Sequence, residues 1–343
     1  HVLRVEHISI YDDFFELGGH SLMAVSLFTE IEQKLGRKLP LATLFQATTL
    51  EQIASVIQQK GWTAPWSPLV PIQPLGTKEP FFCIHGADGA VLFYNKLASL
   101  FAPDQPVYGL QAQGLDGGHI VHSSMEAMAA LYIKEIRAVQ GKGPYFLGGY
   151  SFGGLLALEM AIQLRAQGEP VAMVALLDAN NPAMPARRYT LQERIVLRTR
   201  VIAGLSLKQK IAFVLDRGWR KLKVIILLKK EALKIRVYKS KSKHKEIIPV
   251  NYRILHVREA NIAAAHNYKP RIYNGALTLI RAENPNDGFE FDSKLGWGGL
   301  AAEGIEIHDV PGQHETMFHE PHVYALAKTL RDCIEKARRR FGL

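Results

Sequence analysis

Apolar residues near the start of the chain recur at steps of three and four, as they do on one face of a helix. The pattern predicts one helix that stops at Gly36 and a second that follows the cap candidates Thr48 and Thr49. Its apolar positions are Leu22, Val25, Leu27, Phe28, Ile31, Leu35, Leu50, Ile53, Ala54 and Ile57. So few apolar positions give a thin core, and residues 1–60 are predicted to form a small all-α helical bundle.

Short apolar runs that alternate with helical stretches begin at Pro80. This alternation is typical of a parallel sheet that helices cover on both faces. A helical, basic stretch interrupts it at residues 185–265, so residues 77–343 are predicted to form a mostly parallel α/β domain with a helical insertion. The strand-like runs are residues 81–84, 106–110, 145–149, 171–177, 276–280 and 305–310, and a closing helix is predicted at 324–338.

Four prolines, Pro65, Pro68, Pro71 and Pro74, lie between these two patterns. Proline at this density excludes a helix and favours an extended, semi-stiff chain. Residues 61–76 are therefore predicted to be a linker.

The composition is that of an ordinary folded protein, with 343 residues, 48% hydrophobic and 22% charged, which excludes a disordered or fibrous chain. Cys83 and Cys333 are too few for a disulfide scaffold or a cysteine-rich zinc site. The apolar run at residues 224–228 is far shorter than the ~20 residues that span a bilayer, and no secretion signal opens the chain. We expect a cytoplasmic protein with no membrane or nucleic-acid partner, cut from a longer chain before His1.

The positive charge is concentrated in one segment. Residues 185–260 hold 21 of the 42 Lys and Arg but only 5 of the 32 Asp and Glu, whereas residues 1–60 carry five basic and seven acidic residues. Two interpretations stay open. The segment could be a docking or membrane-surface face, with Lys229, Lys230 and Lys234 meeting the acidic first domain, or a solvated surface whose Lys and Arg stems cover apolar rows.

Residues 149–153, Gly-Tyr-Ser-Phe-Gly, match G-x-S-x-G directly between a predicted strand and a predicted helix. The glycines allow a strained turn that projects the Ser151 hydroxyl above the helix N-terminus; the alternative is a serine that merely caps the helix. A serine nucleophile needs a base that a carboxylate orients. His314, in the loop between the last strand and the closing helix, has the position of that base in the order Ser–acid–His.

Two carboxylates could complete the site, since Asp178 and Asp287 each follow a predicted strand. Their positions alone do not decide between them. The developing oxyanion needs backbone N–H donors, for which the candidates are Phe152, after the nucleophile, and Ala87, in the turn after the strand at 81–84.

A histidine metal site is not expected, because His314, His319 and His322 have no Cys or carboxylate at helical ligand spacing beyond Glu315 and Glu320. His308 lies within a predicted strand and is assigned a structural role.

Ser21 lies at the predicted start of the first helix after two glycines, and by itself it would be interpreted as an N-cap. Residues 13–22, however, are similar to the D-x-F-F-x-L-G-G-[HD]-S-[LI] signature of a peptidyl carrier protein. Residues 78–343 resemble a type I thioesterase domain. The matching pieces are residues 82–86, 149–154, 177–178, 296–297 and 310–314. Together they resemble the C-terminal carrier–thioesterase end of a non-ribosomal peptide synthetase.

This resemblance implies that Ser21 carries covalent 4′-phosphopantetheine, which a phosphopantetheinyl transferase adds from coenzyme A. It implies an α/β-hydrolase fold with a lid at residues 183–262. The catalytic residues would be Ser151, His314 and Asp178, and Asp287 is the alternative acid. It also implies that the carrier's first helix is truncated and that adenylation and condensation domains lie upstream in the same synthetase.

The activity that the resemblance implies is release of an acyl or peptidyl chain from the carrier arm through an acyl-serine intermediate. Hydrolysis and macrocyclisation use the same residues, so the sequence does not choose between them. The alternatives are a polyketide or hybrid release thioesterase, a general α/β-hydrolase esterase, and a non-catalytic docking module, against which the intact set of Ser151, His314 and Asp178 argues.

Overall fold

The computed structural model describes residues 2–3, 7–19, 21–59, 66–115, 124–183, 187–188, 250–284, 289–290 and 292–343. The chain divides into two compact units. The larger unit comprises His1–Pro185, Pro249–Asn286 and Phe291–Leu343, and the smaller comprises Ala186–Ile248 and Asp287–Glu290. Within the smaller unit, the described residues are two short antiparallel strands, β6 (Arg187–Arg188) and β8 (Phe289–Glu290).

Two helices and a short 3-10 helix at Leu41–Phe45 follow the start of the chain. Helix α1 (Ser21–Leu35) ends before Gly36, whose φ of 64° is left-handed and stops the helix. Helix α2 (Leu50–Gln58) begins at a capping box, in which the Gln52 N–H donates to the Thr49 hydroxyl and the Thr49 N–H donates to the Gln52 side chain. Both helix limits agree with the sequence pattern.

Within the described ranges, seven strands form one sheet in the order β1-β3-β2-β4-β5-β7-β9. All neighbouring strands run parallel except β1 and β3, which are antiparallel. The bounds are β1 Leu69–Gln73, β2 Phe81–Ile84, β3 Val107–Leu110, β4 Tyr145–Tyr150, β5 Val171–Leu177, β7 Leu277–Asn284 and β9 Ile305–Gln313. The six runs expected from the sequence are all strands, and the structure adds β1.

Helices cover both faces of the sheet, as the alternation predicts. Helices α4 (Met125–Ile136) and α5 (Phe152–Ala166) pack in one buried cluster, and α3 (Asn95–Ser99) and α7 (His322–Phe341) pack in the other. None of the helices in the described ranges is long and apolar enough to cross a bilayer.

The prediction of a linker over residues 61–76 is wrong for its second half, because Leu69–Gln73 is strand β1. Proline has no N–H to give to a sheet, so a proline-rich stretch is a poor candidate for a central strand. Among the described strands, β1 lies at the edge of the sheet and pairs with β3, and its register shifts between Pro71 and Gln73. At such an edge the missing N–H of Pro71 costs little.

The predicted lid falls largely outside the described residues, as do Lys229, Lys230 and Lys234. Its final part is described and is helical: α6 spans Val250–Asn267 and so continues beyond the predicted limit at residue 262.

Candidate active site

Ser151 occupies a strained turn between β4 and α5. Its φ of 54° and ψ of −116° are uncommon for a residue with a side chain. The Ser151 N–H donates to the Leu177 carbonyl at 3.0 Å, and its hydroxyl makes no capping hydrogen bond to α5. The geometry therefore gives no support to the interpretation of Ser151 as a simple helix cap.

The glycines around Ser151 are required by close backbone contacts. A Cβ on Gly149 would lie 2.1 Å from the carbonyl carbon of Gly153, and a Cβ on Gly153 would lie 2.4 Å from the Ile84 oxygen. On Gly154, a Cβ would lie 2.4 Å from the Ala179 Cβ. The turn is thus pressed against the ends of β2 and β5, which fixes where the Ser151 Cα lies relative to both strands.

His314 and Asp178 are hydrogen-bonded, with Nδ1 and Oδ2 2.7 Å apart. Since an ionised carboxylate only accepts, Nδ1 carries the hydrogen and Nε2 is the acceptor nitrogen of the neutral ring. The other carboxylate oxygen of Asp178 accepts from the Ala282 N–H at 3.0 Å. Asp178 is therefore fixed by a neighbouring strand and in turn fixes the ring of His314.

Tyr150 supports His314 from the other side. Its hydroxyl donates to the His314 carbonyl at 2.8 Å, and the two ring centroids are 4.6 Å apart. Sequence reasoning did not identify this contact, because Tyr150 occupies a variable position of G-x-S-x-G.

Topology brings the sequence-selected groups to one edge of the sheet. Ser151 follows β4, Asp178 follows β5 and His314 follows β9, and these strands are parallel. Parallel strands end at the same edge, where open α/β sheets bind their ligands. The alternative acid, Asp287, lies outside the described residues.

The turn after β2 carries Ala87 at that same edge and is held by a buried histidine. The ring of His85 is fully buried, which lowers its pKa to about 4 and keeps it neutral. Its Nδ1 lies 2.6 Å from the Gly86 carbonyl and its Nε2 lies 2.7 Å from the Tyr132 hydroxyl. Because a carbonyl only accepts, Nδ1–H donates to Gly86 and the Tyr132 hydroxyl donates to Nε2.

These contacts fix the orientation of the peptide between Gly86 and Ala87. The Gly86 carbonyl also accepts from the Gly89 N–H at 3.0 Å. In a trans peptide the C=O and the following N–H point in opposite directions. The contacts that fix the direction of the Gly86 C=O therefore also fix the direction of the Ala87 N–H, which is opposite to it. On the far side, the Asn261 amide of α6 donates to the Ala87 carbonyl at 3.0 Å. Sequence reasoning missed Tyr132 and Asn261 because they are distant in the chain.

A second serine, Ser21, is the first residue of the 15-residue helix α1. The turn before it is tightly built: Gly18 has a φ of 81°, and a Cβ on Gly19 would lie 2.3 Å from the Phe14 carbonyl oxygen. The Asp13 carboxylate accepts from the N–H groups of Phe15 and Glu16, at 2.7 and 3.1 Å. A helix N-terminus of this kind suits a phosphate ester, so this segment fits a phosphopantetheine group.

One group of metal-type ligands occurs in the described ranges, and it does not include His314, His319 or His322. Its members are Glu306, His308 and Cys333. His308 Nε2 lies 3.0 Å from Glu306 Oε1 and 3.4 Å from Cys333 Sγ, and Lys336 pairs with the second oxygen of Glu306 at 2.8 Å. These hydrogen bonds and the lysine charge give each side chain of the group a partner, so the group is a structural network between β9 and α7.

Comparison with known proteins adds family assignments. Residues 79–334 match the profile of the thioesterase domain family, and residues 1–57 match the phosphopantetheine attachment site. A dimodular nonribosomal peptide synthase of Bacillus subtilis (strain 168) is 30% identical over 98% of this chain. Malpibaldin synthetase of Mortierella alpina is 29% identical over 98% of it. The chain spans only 14% and 6% of the length of these two relatives.

Solved structures give the same assignment of fold. A four-domain nonribosomal peptide synthetase, holo-AB3403, is 28% identical with a TM-score of 0.61, covering 96% of this chain and 25% of that one. The NocB thioesterase domain is 24% identical with a TM-score of 0.55, over 78% of this chain and 98% of that one. The seven-stranded domain thus has an α/β-hydrolase fold with a mostly parallel sheet, and the chain belongs to the thioesterase domain family, preceded by a phosphopantetheine attachment segment.

Proposed function

We propose that this chain releases an acyl or peptidyl group from a carrier arm on Ser21 by way of an ester on Ser151, as the termination step of non-ribosomal peptide synthesis. The observation that carries the proposal is the His314–Asp178 hydrogen bond of 2.7 Å at the sheet edge where the strained Ser151 turn ends β4. The phosphopantetheine attachment match at residues 1–57 supplies the context.

The arm belongs to the N-terminal segment, which we take to be a helical carrier domain. A phosphopantetheinyl transferase would transfer 4′-phosphopantetheine from coenzyme A to the Ser21 hydroxyl. Bound there, the group supplies a terminal thiol that holds the substrate as a thioester. The α1 N-terminus and the compact turn before it favour the phosphate charge.

The first chemical step forms an ester on Ser151. His314 Nε2 accepts the Ser151 proton while Oγ attacks the thioester carbonyl, and Asp178 holds the ring and stabilises the imidazolium. The N–H groups of Ala87 and Phe152 donate to the oxyanion. When the oxyanion collapses, the carbon–sulfur bond breaks and His314 gives its proton to the departing thiolate.

The second step removes the acyl group from Ser151. Either water or an amine or hydroxyl of the substrate attacks the ester, with His314 again taking the proton and then giving it to Ser151. Water yields a free acid and an internal nucleophile yields a macrocycle. The described residues serve both outcomes equally.

Upstream adenylation and condensation domains would supply the finished chain. The relatives named above are synthetases many times longer than this segment, and they favour a peptidyl substrate over a polyketide.

Two labels on the intact protein test the proposal. Incubation with coenzyme A and a phosphopantetheinyl transferase should add one phosphopantetheine mass to the peptide containing Ser21. A fluorophosphonate, which reacts with activated serines, should label the peptide containing Ser151. Labelling of Ser151 that persists undiminished after His314→Ala would contradict the catalytic assignment, and pantetheinylation of Ser21→Ala would contradict the carrier assignment.

A further inference from the structure

We propose that helix α6 is the docking surface for the N-terminal carrier segment, and that Glu32 of α1 and Arg253 of α6 are the pair that sets the docked orientation. The inference builds on the proposed function, because it assigns the surface through which the carrier presents its arm. Contacts between α1 and α6 carry it.

The pair is a buried ion pair. Arg253 Nη2 donates to both carboxylate oxygens of Glu32, at 2.9 and 3.0 Å. The two side chains are only 4% and 8% exposed. Burial of two charges is expensive, and loss of either partner leaves the other buried and uncompensated. A pair of this kind strongly favours the one arrangement in which both members meet.

Apolar contacts surround the pair. Ile254, the next residue of α6, packs against the buried cluster of the N-terminal helices, and Leu92 of the α/β domain is itself a buried member of that cluster. Conversely, two residues of the N-terminal segment, Ala42 and Phe45 of the 3-10 helix, pack against a core cluster of the α/β domain. An apolar patch around one desolvated charge pair is the arrangement expected of a specific interface.

The same helix reaches the turn that carries Ala87. Val257, one turn beyond Arg253, packs with Ala112 and Leu115, and a Cβ on Gly89 would lie 2.6 Å from it. Asn261, one turn further, donates to the Ala87 carbonyl. Eight residues of helix span about 12 Å. Docking on α6 therefore brings the carrier segment beside the candidate oxyanion turn.

The two arginines of α6 act on different groups. Arg253 pairs with the carrier segment, whereas the positive charge of Arg258 acts on Asp88, where it opposes the rise in pKa that burial causes. Tethering already gives a high local concentration of one domain at the other, up to about millimolar. The Glu32–Arg253 pair is therefore needed for orientation rather than for affinity.

The test compares two substrates in the full-length, pantetheinylated protein. Transfer from the arm to Ser151 is followed by rapid quenching and mass spectrometry, and turnover of the matching N-acetylcysteamine thioester is followed in parallel. The acyl group is whichever of octanoyl, phenylalanyl and phenylalanyl-leucyl the wild-type protein transfers fastest. Glu32→Gln should slow arm transfer by about tenfold or more and leave turnover of the free thioester within about twofold.

Glu51→Gln is the matched control, since it removes one exposed carboxylate from α2 by the same substitution. It should change neither rate. The exchange of both charges, Glu32→Arg with Arg253→Glu, should recover a substantial part of the arm transfer that each single substitution loses. Modification of Ser21 by the transferase verifies that the carrier segment of each variant is folded.

Equal slowing of both substrates would overturn the proposal, because it would show a general structural role for the pair. Unchanged arm transfer in Glu32→Gln would overturn it as well. A different result would contradict the proposed function itself, namely that the Ser151→Ala variant keeps its activity toward the free thioester.

Discussion

Two serines in this chain follow glycines at the start of a helix, and their surroundings differ sharply. Ser151 has a φ of 54° in a turn that close backbone contacts force into place. Ser21 is instead the first residue of α1 and follows a turn built on Phe14 and Asp13. Ser151 thus lies in a strained backbone turn at a sheet edge, whereas Ser21 lies at a helix N-terminus.

The contrast shows that a glycine–serine motif does not itself specify chemistry. Nucleophilic attack needs a base and a carboxylate, and we propose that His314 and Asp178, which follow other parallel strands of the sheet, serve Ser151 in these roles. Attachment of an arm needs only an accessible hydroxyl and a partner enzyme that recognises the fold around it. Substitutions should therefore separate the two serines cleanly.

Ser151→Ala should have the largest effect. It removes the nucleophile, and a loss of about 10⁶-fold in kcat toward a soluble thioester is the expected scale. Steady-state release of free thiol measures this loss. Ser21→Ala provides the contrast, because turnover of the same soluble thioester should stay at the wild-type value while pantetheinylation disappears.

Asp178→Asn should come next, with a loss on the order of 10³–10⁴-fold in kcat, because an amide favours the wrong tautomer of His314. The same measurement on Asp287→Asn should give a rate close to wild type. The reverse pattern, with Asp287→Asn severe and Asp178→Asn mild, would move the acid to the later strand.

Asn261→Ala tests the support of the turn proposed to hold the oxyanion. Removing a direct oxyanion donor costs about 10²–10³-fold, and loss of a group that only positions the donor should cost less, about tenfold. The decrease should fall on kcat with KM little changed, for arm-bound and soluble substrates alike. A change confined to KM would instead place Asn261 in substrate binding.

The last predicted effect is on stability rather than on rate, and it comes from His85. Burial lowers the folded-state pKa of His85 from 6.5 to about 4, so the unfolded chain binds the extra proton between these pH values. The stabilisation is complete above pH 6.5 and is lost as the pH falls toward 4, by about 3 kcal/mol at most. Urea unfolding of wild type and His85→Gln across this window should show a shallower pH dependence in the variant.

The sequence predicted well what depends on local pattern. The apolar runs of β2, β4 and β5 are buried strands, and Gly36 and Thr49 mark helix limits because capping is decided within a few residues. Ser151 and His314 could be selected because both adjoin ends of predicted strands.

Features that depend on contacts between distant residues could not be predicted. Asp178 and Asp287 both follow strands, so position alone left them equal until the hydrogen bond to His314 was seen. Strand β1 was missed because Pro71 is acceptable only at a sheet edge, and edge position is a property of the assembled sheet. The Glu32–Arg253 pair joins residues 221 positions apart, a distance at which no sequence pattern acts.

The most direct test of the account follows an acyl group from one serine to the other. The protein is loaded at Ser21 by a transferase with acyl-coenzyme A, and peptides are mapped by mass spectrometry over time. The acyl mass should leave the Ser21 peptide and appear on the Ser151 peptide before product is released, and Ser151→Ala should hold it at Ser21. Release from Ser21 at an unchanged rate in Ser151→Ala would contradict the account.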